Sequence, residues 1–252
     1  LVLGLPLALA GVVVTAALAA AAVYAGALTS WAGVVAAAFG VAIVVLGGFA
    51  YLALLVLFVV ASVLATRYAL DEKKRRNVQE GTEGERGVSN VLAHIVVPTA
   101  LVGALLVPAI APSSMVLTTV YASALSFGAA DTFASEFGVL QGRAVSILTF
   151  RPVTAGTNGG VSLLGTVWAA VGAMTTAVVG YGLFALFDVS VGPVLRWIPL
   201  VAVAGFVGCQ IDSVLGETLE NRGYLTKGGT NFLSMLGAVG VASLALFAGG
   251  AL

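Results

Sequence analysis

The chain is 252 residues long, 60% hydrophobic and only 9% charged, with a mean hydropathy of +1.10. Soluble domains carry about 25% charged residues, so composition excludes a soluble globular protein, a disordered chain and a secreted disulfide scaffold, and leaves a polytopic membrane protein. Eleven basic and eleven acidic residues cancel, which does not suggest nucleic acid as a partner, and the lone Cys209 allows neither an internal disulfide nor a cysteine metal cluster.

Sixty-six uncharged residues precede Arg67, enough for three helices of about 20 residues each. The stretch Gly26 to Gly33 and the pair Gly47-Gly48 interrupt this run, which places spans at 4–26, 31–47 and 49–67. No basic segment precedes the first span, so it is expected as a membrane helix rather than a signal peptide. The chain opens on Leu1 rather than Met, consistent with a trimmed start. A charged loop at 68–88 follows, and its segment Asp71 to Gly87 holds ten of the 22 charges. It is expected to be solvated and to touch anionic headgroups.

Further spans are expected at 89–108, 113–131, 158–186, 193–213 and 231–250. The whole chain, 1–252, is then one all-α membrane domain of about eight spans, with motif loops at 131–158 and 212–231. Basic residues lie in the loops after the third, fifth and seventh spans, and Arg196 alone lies near the other face. By the positive-inside rule those loops face the cytoplasm of a cell membrane and both termini lie outside. Gly172, Thr176 and Gly180, beside Gly165, Ala169, Ala173 and Ala177, form small-residue stripes suited to close helix packing in lipid.

Two cytoplasmic segments resemble each other. The first has Asp131-Thr132-Phe133-Ala134-Ser135-Glu136, then Gly156-Thr157-Asn158; the second has Asp212-Ser213-Val214-Leu215-Gly216-Glu217, then Gly229-Thr230-Asn231. Gly87-Val88-Ser89-Asn90 is a weaker third copy. Shared orientation makes these parallel helical-hairpin repeats. Asp and Glu five residues apart stand about 140° apart on a helix. Either the helix ends or kinks between them, or each carboxylate serves a different neighbour. Acids at membrane depth are costly unless paired or functional, and Asp131 and Asp212 at span ends are candidates for Mg²⁺, which favours oxygen ligands. Thr and Asn make good N-caps, so the Gly-Thr-Asn elements are expected to open the next helices and to present their free N–H groups to phosphate. Gly159 and Gly160 extend the first of them. Arg143, Arg151, Arg222 and Lys227 stand in the same loops and can neutralise phosphate charge. His94 is expected to be packed rather than catalytic. Zinc-protease, P-loop and serine-hydrolase motifs are absent.

The segments Asp131 to Gly138, Gly156 to Ser162 and Asp212 through Asn231 resemble those of an integral membrane family, formerly a domain of unknown function, that includes the plant phytyl-phosphate kinase of vitamin E synthesis and archaeal, bacterial and animal relatives. The resemblance covers the chain from the second span onward. Ser89 to His94 is similar to a further family motif, except that His94-Ile95 stands where the family has Asn-Gly. The resemblance implies transfer of a phosphoryl group from a nucleoside triphosphate, CTP or ATP, to a prenyl monophosphate in the bilayer. It then implies Asp131, Glu136, Asp212 and Glu217 as Mg²⁺ ligands, with Glu220 as a supporting acid. Asp131, Asp212 and Arg151 are expected to act at the reacting phosphates. Arg143, Gly156, Thr157, Asn158, Gly159, Gly160, Arg222, Lys227, Thr230, Asn231 and Asn90 are expected to bind substrate or nucleotide phosphate. A lipid-phosphate cytidylyltransferase and a transporter of an anionic metabolite are the alternatives.

Overall fold

The computed structural model describes residues 4–250. In chain order the helices are α1 (Leu5–Tyr24), α2 (Ser30–Gly47), α3 (Phe49–Arg67), the short α4 (Leu70–Arg75), α5 (Val88–Gly103), α6 (Ser114–Gly138), α7 (Leu163–Leu186), α8 (Val194–Leu215) and α9 (Lys227–Ala248). The fold is an all-α polytopic bundle. A small patch of β1 (Ala144–Ser146), β2 (Pro152–Val153) and β3 (Gly160–Val161) interrupts it, with β1 in the middle and both pairings antiparallel.

Seven of the eight long helices are long and apolar enough to cross a membrane. The eighth, α6, is richer in Ser and Thr and is the most buried, because α3, α5, α7, α8 and α9 all pack on it. Most of its hydroxyls are bonded within the protein. Thr119 and Ser123 donate to the carbonyls four residues back, and Ser126 donates across to the Ala173 carbonyl at 3.2 Å. The Tyr121 hydroxyl donates to the Tyr51 carbonyl at 2.9 Å, within an aromatic cluster that includes Phe184 and Trp197.

The break between α2 and α3 falls at Gly48, whose φ of +98° suits glycine. The expected small stripe on α7 faces α6. A Cβ at Gly172 would lie 2.7 Å from the Ala129 carbonyl oxygen, so the two backbones approach as only small residues allow. Thr29, Ser113, Ser162 and Thr226 cap α2, α6, α7 and α9, each accepting an N–H from three residues ahead.

Contacts between loops fix the sidedness. Arg67, at the end of α3, donates to the Ala25 carbonyl, and the Arg86 backbone bonds to Ala27 and Thr29. The 68–87 segment also reaches the α6–α7 loop, where Arg76 donates to the Leu140 carbonyl, and the start of α9, where Lys227 meets Glu80. The α1–α2, α3–α5, α6–α7 and α8–α9 connections therefore share one face. The start of α1 and the end of α9 lie on the other.

Three local expectations need correction. The helix that carries Asp131 does not stop there: α6 runs two more turns, to Gly138. The first Gly-Thr-Asn is not a helix start. It lies in a glycine-rich loop ahead of β3, and α7 begins only at Leu163. The 68–88 segment is not simply solvated, since it forms α4 and buries Lys73 and Arg86 at 0% and 6% exposure. The buried acid Glu136 draws Lys73 inward, and burial of one charge requires its partner.

Candidate functional site

On the loop face, α6, α7, α8 and α9 leave a cavity of about 190 Å³. Asp131 enters it from α6 and Asp212 from α8, while Lys227 and Asn231 enter from the first turns of α9. The segment Gly156 to Val161 closes it on the loop side. The Asn231 amide donates to Asp131 Oδ2 at 3.4 Å. Asp212 Oδ1 is buried without a hydrogen-bond partner among the described residues. A buried acceptor left unpaired is costly, so this carboxylate is suited to a cation or donor arriving with a ligand.

The glycine loop has the backbone freedom that close approach to a ligand requires. Gly156 and Gly159 have φ of +87° and +78°. A Cβ at Gly159 would sit 2.4 Å from Glu217 Cβ, so the loop is pressed onto the end of α8. The contact is fastened on both sides. The Asn158 amide donates to Glu220 at 2.9 Å, and the Asn221 amide donates to the Asn158 carbonyl at 3.2 Å.

The two glutamates of the repeats are engaged away from the paired aspartates. Glu136 accepts from Lys73 Nζ at 2.7 Å and from the Thr66 hydroxyl at 2.7 Å. Lys73 also donates to the Ala65 and Thr66 carbonyls. Glu217 accepts from the Ser146 hydroxyl at 2.6 Å and from the Leu148 N–H at 3.3 Å, which braces the β patch. No group of three or more His, Cys, Asp or Glu residues placed to hold a metal ion occurs among the described residues. Glu220 also lines the cavity but is engaged by the Asn158 amide, which leaves a cation the Asp131 and Asp212 carboxylates and neighbouring amide oxygens. That set fits Mg²⁺, which commonly takes one or two carboxylates and fills its shell with phosphate oxygens and water.

The other expected site residues are spread over the cavity, the surrounding loops and the packing behind it. Gly156, Thr157, Asn158, Gly159, Gly160, Lys227 and Asn231 line the cavity. Arg143, Arg151 and Arg222 are exposed on the surrounding loops and do not line it. Thr230 is buried and donates to the Thr226 carbonyl. Asn90 lies behind the cavity, accepting from Arg86 at 3.1 Å and donating to Glu80 at 3.2 Å. His94 is packed between Phe58 and Phe127.

Glu80, Thr66 and Lys73 escaped the motif reading, yet they join the site to the charged segment. Lys227 donates to Glu80 at 2.9 Å, Asn90 links Glu80 to Arg86, Arg86 donates to Thr66 at 3.3 Å, and Thr66 donates to Glu136. Burial pushes the Glu80 carboxyl up, but Lys227, Arg86 and Asn90 outweigh it and hold Glu80 below the ordinary carboxylate value. Burial draws the Arg86 guanidinium down from its ordinary value, opposed by the more distant Glu80, Glu136 and Asp131.

The family model described as Integral membrane protein DUF92 matches residues 13–245. An uncharacterized membrane protein of Methanocaldococcus jannaschii is 31% identical over 197 residues, 77% of this chain and 76% of its own. Protein PGR of Arabidopsis thaliana is 34% identical over 196 residues, 70% and 67% of the two chains. An uncharacterized membrane protein of a Synechocystis strain is 32% identical over 210 residues, 79% and 76%. No solved structure matches.

Proposed function

The chain belongs to the DUF92 family of integral membrane proteins, and from that premise we propose that it is a prenyl-phosphate kinase. It would transfer the terminal phosphoryl group of a nucleoside triphosphate, CTP or ATP, to an isoprenyl monophosphate such as phytyl or geranylgeranyl phosphate. The observation that carries the reading is the pairing of Asp131 and Asp212, from neighbouring helices, opposite a glycine loop with positive-φ residues.

An oxygen of the acceptor phosphate attacks the terminal phosphorus, the bond to the bridging oxygen breaks, and a nucleoside diphosphate leaves. The acceptor is already an anion, so no strong general base is required. The task is to hold two polyanions together, and positioning and electrostatics dominate such transfers. Mg²⁺, when bound, neutralises phosphate charge. Asp131 and Asp212 would hold it. Backbone N–H groups of Gly156, Asn158 and Gly159 would cradle phosphate oxygens, those of Thr157 and Gly160 being spent on turns within the loop. Lys227 would lend a positive charge and Asn231 would orient Asp131. Glu136 and Glu217 are assigned to bracing, on the strength of their partners. Arg143, Arg151 and Arg222 are free on the loops to meet a nucleotide from the cytoplasm, the side assigned by the basic-residue bias.

The test offers geranylgeranyl or phytyl monophosphate, Mg²⁺ and each of CTP, ATP, GTP and UTP to purified protein in detergent. Lipid diphosphate with nucleoside diphosphate is the expected outcome. A nucleotidyl lipid with pyrophosphate would replace the kinase by a cytidylyltransferase. Uptake of an anion into proteoliposomes without nucleotide consumption would replace it by a transporter.

A further inference from the structure

A second cavity lies on the other side of α5. It occupies about 340 Å³ between α1, α2, α3 and α5, within the range of small-molecule sites. Its walls are apolar, with Leu18, Ala36, Val59 and Val91 contributed by the four helices. It opens toward lipid between α1 and α3, where Leu18, Val60 and Leu64 are exposed. α1 packs chiefly on α2 and leaves this mouth unclosed.

The loop-face end of the groove has a different chemistry. Ser62, Arg86, Asn90 and His94 line it. Ser62, Arg86 and His94 are 1%, 6% and 4% exposed, and each has a buried atom with no partner among the described residues: Ser62 Oγ, Arg86 Nε and His94 Nε2. His94 Nδ1 must donate to the Asn90 carbonyl, 2.9 Å away, because a carbonyl only accepts. The second ring nitrogen is thereby left to the groove as an acceptor. Arg86 spends two of its nitrogens on the neutral oxygens of Asn90 and Thr66, and forms no ion pair within 4 Å among the described residues. A buried cation without a counterion in direct contact is expensive. An apolar slot that ends in one is complementary to an anion carried on a single hydrocarbon chain.

We propose that this groove holds a prenyl monophosphate, its chain between α1, α2, α3 and α5 and its phosphate at Arg86 and Ser62, with His94 Nε2 accepting from the P–OH of the monoanion. As the acceptor site, the assignment rests on the kinase reading above. The groove and the Asp131–Asp212 cavity are divided by the chain Asn90–Glu80–Lys227, in which Asn90 lines one and Lys227 the other. The lipid enters sideways from the bilayer, and the nucleotide from the loop face.

The test uses the full chain in nanodiscs, a geranylgeranyl monophosphate probe with a diazirine on its chain, no nucleotide, and mapping of the labelled peptides. Label should fall on α1, α2, α3 and α5. Ala36→Phe, which fills the groove away from the polar network, should reduce labelling about ten-fold or more. Arg86→Gln should weaken the phosphate probe by about ten-fold or more, the scale of a lost charge-assisted bond, and leave the matching alcohol probe unchanged, while Arg86→Lys recovers part of the loss. Label on α7 to α9, labelling undiminished in Ala36→Phe, or equal capture of a diacyl phosphatidic acid probe would each overturn the assignment. The kinase reading fails separately. Groove labelling without phosphoryl transfer under any nucleotide sinks the kinase and keeps the lipid site. Turnover in Ala36→Phe with an unchanged KM for the lipid does the reverse.

Discussion

The two halves of the repeat write one pattern, Asp then Glu five residues on, into two different backbones. In the first, α6 continues as a regular helix past Glu136 to Gly138. In the second, α8 stops at Leu215 and Gly216–Glu220 forms a π-helical turn, with the Asn221 N–H bonded to the Gly216 carbonyl at 3.1 Å. Of the alternatives raised by the 140° separation, separate neighbours for the two carboxylates are found in both copies, and a change of helix geometry between them in the second alone. The outcome is still common to both. The aspartate faces the shared cavity, and the glutamate reaches a neighbouring segment, α3 and α4 in one case and the β patch in the other. The repeat preserves a division of labour between two acids rather than a backbone geometry. Wider turns of this kind recur at functional sites, and here one lies beside the glycine loop.

The comparison can be broken most decisively at the aspartates. Asp131→Ala and Asp212→Ala should each lower turnover by on the order of 10³-fold with little change in thermal unfolding in detergent. Retained activity in both would remove the shared-cavity account. The glutamates should separate by size of effect. Glu136→Gln leaves Lys73 buried without its partner, and a cost of about 3–5 kcal/mol is expected in an unfolding titration. Lys73→Met combined with Glu136→Leu should recover much of that loss. Glu217→Gln sits in a more open contact and should cost about 1 kcal/mol, seen first as faster proteolysis of the 142–162 loop. Equal losses at 136 and 217 would erase the contrast.

The smallest effect concerns acid. The Glu80 carboxyl is held low in the folded protein, so its ion pair contributes stability above the ordinary carboxylate range and loses it as pH falls through the depressed folded value. Wild-type protein should therefore lose stability below about pH 4 more steeply than Glu80→Gln. Matching acid profiles would show that Lys227 gains nothing from Glu80.

Legibility in the sequence followed the strength of the local signal. The break at Gly48, the small stripe of α7 and the alternation of eight helices all rest on short-range patterns that lipid enforces. The end of α6 does not. Beyond Asp131 the residues Thr132, Phe133, Ala134 and Ser135 look no different from a loop approach, and α6 continues because α7 packs along it, so closely that a Cβ at Gly138 would lie 3.1 Å from the Gly165 Cα. The first Gly-Thr-Asn was likewise ambiguous. Ser162 supplies a cap five residues after Thr157, and the glycines between are taken up by a strand and a turn. Lys73 and Arg86 were hidden for a different reason. Charges in a run read as solvated, and only the tertiary position of Glu136 and of the apolar groove draws these two inward.

The burial of α6 bears on how the molecule is made. Most of its Ser and Thr hydroxyls are bonded to its own backbone or to its neighbours, and its surface is covered by five other helices. Alone in a bilayer, a segment with this many hydroxyls and an internal Asp131 has little to gain from hydrocarbon on every side. Its stable residence in the membrane depends on partners, three of which, α7, α8 and α9, are synthesised after it. Integration of this helix is therefore a step of assembly rather than of partitioning. The aspartate that it carries becomes buried only as the cavity around it is built.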